Sequence, residues 1–239
     1  MKICNINTGG KSNESADTAN SIIDNISHFR LEPFINIAEN RIVGFEVLSS
    51  LKAEQLPEHW FSEQRSRDLI DFIKFQLEHV SKLHLMETCF YNLSVEGIIK
   101  LKMSDMLFIS NFNNIAIEIS DAYNIKHCSA VERSVFLNNI KLLREVVIQV
   151  WLDDFTFDDL HYLEFYHGHI DGIKIDRNEI RMSWFRNEIS IILGVLEDID
   201  ILIEGVESEE DLIVVKKTGV WLAQGYFWNE ENLMLNIVN

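Results

Sequence analysis

The sequence predicts an α/β protein built on a parallel sheet, either closed into a barrel or left open. Short β-rich runs alternate with helical segments about seven times, the pattern of strand–helix units. No long linker interrupts the alternation after Phe34, and Pro33 and Pro57 are the only prolines. Polar, mostly acidic residues stand at or near the ends of the predicted strands, where one face of such a sheet gathers them.

The strands are predicted at Phe34–Ile37, Arg41–Leu48, Cys89–Leu93, Ile115–Ile119, Val147–Leu152, Gly172–Ile175, Ile199–Ile203 and Val220–Ala223. Helices are predicted between them. Phe61–His79 carries Leu69, Ile70, Ile73 and Leu77, the spacing of one helix face. Ala130–Arg144 reads the same way, as does Ser208–Lys217, which opens on Ser-Glu-Glu-Asp, an N-cap followed by first-turn acids. Residues 1 to about 28 are polar and lack periodicity until Ile22. They are predicted as a flexible arm with at most one short helix, and residues 29–239 as one barrel domain.

Composition narrows the function. The 239 residues are 47% apolar and 25% charged, which excludes a disordered or fibrous chain. Acids outnumber bases 38 to 21, for a net charge of −17. Such a surface repels nucleic acid and anionic membranes, so neither is expected as a partner. A small anionic ligand needs a metal or local bases to recruit it. Cys4, Cys89 and Cys128 are odd in number and form no CxxC, which argues against a disulfide framework and a structural zinc site. The longest apolar run, Ile189 to Leu196, falls short of the ~18 residues of a membrane span. A cytoplasmic location is expected.

The chemistry lies at the strand ends. IVGFEVL carries Glu46, CFYNLS Asn92 and IAIEIS Glu118. VIQVWLDD ends on Asp153 and Asp154, and IDGIKID carries Lys174. IDILIEGVE carries Glu204 and Glu207, and VWLAQGY carries Gln224. Burying so many carboxylates together without a cation would be very costly. Clusters of Glu, Asp and Asn oxygens suit Mg²⁺, Mn²⁺ or Ca²⁺. A metal-dependent barrel enzyme is one reading, and an unrelated carboxylate barrel gives a similar pattern. The eight histidines form no HxxxH pair, and His161, His167 and His169 read as surface residues. Trp221, Tyr226, Phe227 and Trp228 read as barrel-closing core or a partner patch. Asp176 and Glu207 read equally as caps or as supports of the site.

In order along residues 32–235, these motifs resemble the EAL domain of bacterial cyclic di-GMP phosphodiesterases. EPFINIAENRIVGFEVL is similar to the opening strand pair and EAL signature, with Val47 in place of alanine. FYNLS, IEISD, LDDF, IKIDR, IEGVES and AQGYFW resemble the six later motifs. The resemblance implies a TIM-type (β/α)8 barrel and a role in motility, biofilm or virulence. It implies that Glu46, Asn92, Glu118 and Asp153 ligate Mg²⁺ or Mn²⁺, and that Asp153 and Asp154 hold a second ion. Lys174, Glu204 and Gln224 would position the attacking water, and the product would be the linear dinucleotide.

Three features depart from that pattern. Ser50 stands where an arginine usually contacts ligand phosphate. Asp121 shortens the second acid of ExxE. Thr156 and Asp158 replace the glycines after the paired aspartates, which is expected to restrict that loop, normally coupled to a homodimer interface. These departures imply weak binding of cyclic di-GMP. They leave two functions open: a stand-alone phosphodiesterase, or an inactive EAL-like domain that binds a protein such as a transcription regulator of flagellar genes.

Overall fold

The computed structural model describes residues 22–52, 56–196 and 198–234. Eight strands close a barrel: β1 (Ile26–Asn36), β2 (Arg41–Leu51), β3 (Thr88–Leu93), β4 (Ile115–Ile119), β5 (Gln149–Phe155), β6 (Gly172–Ile175), β7 (Asp200–Ile203) and β8 (Leu222–Ala223). Strands β2 to β8 run parallel in chain order. β1 pairs antiparallel with both β2 and β8 and so completes the ring. The parallel barrel expected from the sequence thus carries one antiparallel strand. A four-residue turn at 37–40 joins β1 to β2, and so short a connection permits only an antiparallel pair. Asn36 Oδ1 holds that turn by accepting from the backbone N–H groups of Ala38 and Glu39, each at 3.0 Å.

β1 and β2 are eleven residues each, longer than the sequence pattern predicts, and they continue past the other strands. A ninth strand, β9 (Glu231–Met234), pairs with β1 over His28–Leu31. Pro33, which has no N–H to donate, falls between this pairing and that of Ile35 and Asn36 with β8. β1 begins inside the segment expected to be an arm, preceded by a helical turn at 22–25. Ile22 and Ile26 are buried, which ties this stretch to the core. The rest of the predicted arm, 1–21, lies outside the described residues.

Helices cover the barrel: α1 (Pro57–Ser62), α2 (Ser66–Val80), α3 (Val95–Lys100), α4 (Met103–Ile109), α5 (Ala130–Glu145), α6 (Leu163–Tyr166), α7 (Phe185–Val195) and α8 (Glu209–Lys216). α5 and α8 start at capping boxes, Ser129 with Glu132 and Ser208 with Asp211. α7 contains most of the long apolar run and buries Phe185, Ile189 and Ile192 on one face. The described residues contain no helix long and apolar enough to cross a membrane.

Inside the barrel lies a small separate core of Phe34, Phe90, Ala116, Trp151, Leu202 and Leu222. Two glycines make room for its rings. A Cβ on Gly172 would lie 2.4 Å from the Trp151 indole, and one on Gly44 would lie 2.9 Å from the Phe90 ring. Burying each large side chain of this layer contributes roughly 1.5–3 kcal/mol. This plug forms the floor of the site.

Candidate metal centre

Side chains alternate across a strand, so the residue two positions beyond each floor residue also points inward. On β3, β4 and β5 these residues are Asn92 beyond Phe90, Glu118 beyond Ala116 and Asp153 beyond Trp151, and just past β7 Glu204 lies two beyond Leu202. Glu46 and Lys174 lie two beyond Gly44 and Gly172, and Gln224 two beyond Leu222. Because β1 runs the other way, its member of this ring lies two positions before Phe34. That residue is Glu32, directly opposite Glu46 in the β1–β2 register. One polar ring therefore sits on one apolar layer.

Lys174 is the hub. Its side chain is 1% exposed, and Nζ lies 2.8 Å from Asp153, 2.9 Å from Glu204, 3.0 Å from Glu46 and 3.4 Å from Glu118. The Asn92 amide donates to Glu46 Oε1 at 2.8 Å. The Gln224 amide donates to Glu46 Oε2 at 2.8 Å and to Glu32 Oε2 at 3.1 Å.

Asp153 and Asp154 are adjacent, and on a regular strand their side chains would diverge. The β5–β6 register breaks between Leu152 and Phe155, and Asp154 adopts φ 50°. This bulge turns the Asp154 carboxylate back toward the cavity, so that Asp153, Asp154 and Glu204 bring carboxylate oxygens within 4.8 Å of one another. Glu46, Glu118 and Asp153 form a second such triad, so Asp153 belongs to both.

Six carboxylates, Glu32 included, around one ammonium leave a large excess of negative charge. Burial pushes Glu118 well above the ordinary carboxylate value, with only Lys174 opposing. Burial and neighbouring acids likewise raise Asp153 and carry Glu204 up to about 8. Loss of hydration and the adjacent Asp153 charge push Asp154 up to about 7. Burial would raise Glu46 too, but Lys174 and the amides of Gln224 and Asn92 hold it low. For Lys174 burial favours the neutral amine, and the surrounding carboxylates overrule it and keep the ammonium.

The donor set fits hard divalent cations. Every candidate ligand atom is an oxygen, carboxylate in the two triads and amide in Asn92. Glu118 Oε1 and Asp153 Oδ1 are buried without a hydrogen bond of acceptable geometry, as is Gln224 Oε1. Asp153 makes a close ionic contact with Lys174 instead. Among the described residues no histidine joins a potential metal-binding group.

The remaining expected site residues act elsewhere or locally. Asp121 accepts from the Val95 backbone N–H at 2.6 Å and so anchors the start of α3. Asp176 accepts from the backbone N–H of Asn178, and Glu207 pairs with Arg181 at 3.0 Å. Ser50 lies on the same face of β2 as Glu46, further out along the strand. The loop after Asp154 does not need the glycines it lacks. Thr156 adopts φ −103°, and Asp158 is not among the residues with positive φ. Thr156 instead donates to Asp159 Oδ2 at 2.8 Å at the start of a 3-10 turn, Phe157–Tyr162. The restriction expected of this loop is thus not a strain. Trp221, Tyr226 and Phe227 remain partly exposed, and Trp228 packs on the core. A cavity of about 430 Å³ at the opposite end of the barrel is lined by Arg144, His167 and Leu196, and Arg144 there is already bonded to Asp171 and to the Gly168 carbonyl.

A sequence model of the EAL domain matches residues 16–231. No curated protein matches the chain in sequence. Among solved structures, BlrP1 of Klebsiella pneumoniae, in a calcium and cyclic di-GMP complex, superposes with a TM-score of 0.73 at 19% identity, over 88% of this chain and 57% of that one. This chain thus corresponds to little more than half of the Klebsiella protein. An EAL domain protein from Listeria monocytogenes gives 0.69 at 21% identity, covering 94% and 96% of the two chains. The FimX EAL domain from Pseudomonas aeruginosa, bound to cyclic di-GMP, gives 0.70 at 16% identity over 93% and 97%. At these identities the likenesses establish the shared fold.

Proposed function

The chain belongs to the EAL domain family, and we propose on that basis that it is a metal-dependent phosphodiesterase converting cyclic di-GMP to the linear dinucleotide. One observation carries the reading: the two carboxylate triads that share Asp153 are both assembled, with Lys174 as the one ammonium to offset their charge. In this reading Glu46, Asn92, Glu118 and Asp153 hold one Mg²⁺ or Mn²⁺, and Asp153 and Asp154 hold a second beside Glu204. Bound there, such cations supply charge neutralisation of the phosphodiester, a more acidic water and stabilisation of the leaving oxygen.

The protein's own groups do the rest. Lys174 keeps its proton among the carboxylates and places a fixed positive charge at the centre of the site. Glu204 stands beside Asp153 and Asp154 and 2.9 Å from Lys174 Nζ, where its carboxylate can accept a hydrogen bond from the attacking water. Gln224 spends its amide hydrogens on Glu32 and Glu46, which leaves Oε1 as a buried acceptor for a donor such as the attacking water. The apolar floor of Phe34, Phe90 and Trp151 excludes solvent from below.

A second reading, an inactive domain that regulates by binding a protein partner, is favoured by Ser50, which offers no cation to a ligand. Incubation with cyclic di-GMP and Mg²⁺ or Mn²⁺, followed by chromatography for the linear product, separates the two. Product that disappears with chelator supports the phosphodiesterase. Its absence in the presence of both metals moves the assignment to the binding protein.

A further inference from the structure

An anionic ligand approaching this site meets a surplus of carboxylates, and the central cation is taken. Lys174 is enclosed by four acids and is 1% exposed. Arg30 is placed differently. It lies opposite Leu48 in the β1–β2 register, so it shares a face with Glu46, Leu48 and Ser50 on β2 and with Glu32 on β1. It therefore stands one inward position out from Glu32, toward the rim. Nη1 donates to Glu32 Oε1 at 3.1 Å and to Glu230 Oε2 at 2.9 Å. Glu32 in turn accepts from Gln224, which links the guanidinium to the ring in two steps.

Both contacts use Nη1. Nε and Nη2 have no hydrogen-bond partner among the described residues, and 26% of the side chain is exposed. That leaves one edge of the planar fork free, the geometry that binds a phosphate through two parallel hydrogen bonds. The two carboxylates fix the guanidinium in place, so little side-chain entropy remains to be lost on binding. Resting on the phosphodiesterase reading, we propose that Arg30 is the ligand-anchoring cation of this site and grips a phosphate of the cyclic dinucleotide from the β1–β2–β9 rim. The position of Ser50, two residues beyond Leu48 on the same face, is then served from the neighbouring strand.

The test is calorimetric titration of cyclic di-GMP, and separately of Mn²⁺, into the wild-type protein, Arg30→Ala, Arg30→Lys and Arg181→Ala. Arg181 pairs with exposed Glu207 and controls for loss of one positive charge. The expected result for Arg30→Ala is dinucleotide binding weakened roughly tenfold to a hundredfold with Mn²⁺ binding kept, since a hydrogen bond to a charged group is worth about that much. Arg30→Lys should recover only part of the loss, and Arg181→Ala should bind like the wild type. Equal dinucleotide affinity in Arg30→Ala and the wild type overturns the anchor and leaves the functional reading standing. An equal loss in Arg181→Ala overturns it too, because net charge then explains the effect. A wild-type protein that binds Mn²⁺ and no dinucleotide overturns the anchor together with the functional reading.

Discussion

The Lys174 ammonium lies 2.8 Å from Asp153 Oδ1 in a place where 1% of the lysine side chain is exposed. Three more carboxylates surround the same nitrogen, so this lysine is the interior counter-charge of the ring. Removing it leaves buried acids that must protonate or repel. Lys174→Met should destabilise the metal-free protein by about 3–5 kcal/mol in urea unfolding. Mn²⁺ should raise the melting temperature of this variant more than that of the wild type, because the ion then takes the place of the lost charge. A variant as stable as the wild type, with no added response to Mn²⁺, contradicts this role.

A second ion-pair cluster stabilises the outside of the barrel. Asp105, whose side chain is 1% exposed, accepts from Arg67 and Lys74 and caps α4 through the Lys102 N–H. Burial alone would raise its carboxyl, but these donors overrule burial and hold it well below the ordinary 3.8. A depressed folded value means that the stabilisation is complete above about pH 4 and fades as pH falls further. Asp105→Asn should cost about 2 kcal/mol at pH 7 and give a shallower loss of stability below pH 4. Parallel denaturation curves across this range are the check, and an unchanged acid limb contradicts the assignment.

Val147 follows α5 with φ 64° and is exposed. The N–H groups of Val147 and Ile148 donate to the carbonyls of Arg144 and Leu143, closing a Schellman turn whose left-handed position usually holds glycine. A β-branched residue is strained there. Val147→Gly should therefore stabilise the fold by about 1 kcal/mol with no effect on metal or ligand binding. A lower melting temperature would show that the valine is not strained.

Much of the site was readable because a period of two carries it. From β2 to β8 the inward polar residue stands two beyond a glycine or apolar floor residue, and from β3 on it lies near or just past the strand's end. β1 hid its contribution. Glu32 precedes Phe34, and only the reversal of β1 makes it part of the ring, so a reading that looks at the far ends of strands passes over it. Arg30 was hidden for the same reason, together with the underestimated length of β1 and β2. The short helices α3 and α4 complete less than two full turns each, too few for a helical period to emerge. The ease of the Thr156 loop was also beyond the sequence, because the positive φ falls on Asp154 and aspartate tolerates that region better than most residues.

In the proposed function the carboxylate ring is a two-cation centre hinged on Asp153. Its most direct test is the number of Mn²⁺ ions bound per chain, measured by titration calorimetry with electron paramagnetic resonance, in the wild type, Asp154→Asn and Asp153→Asn. The expected result is two ions with coupled spins in the wild type, one tightly held ion in Asp154→Asn and severe loss at both positions in Asp153→Asn, with the fold intact by circular dichroism. Undiminished binding of both ions in Asp153→Asn, or no Mn²⁺ bound by the wild type, would contradict it.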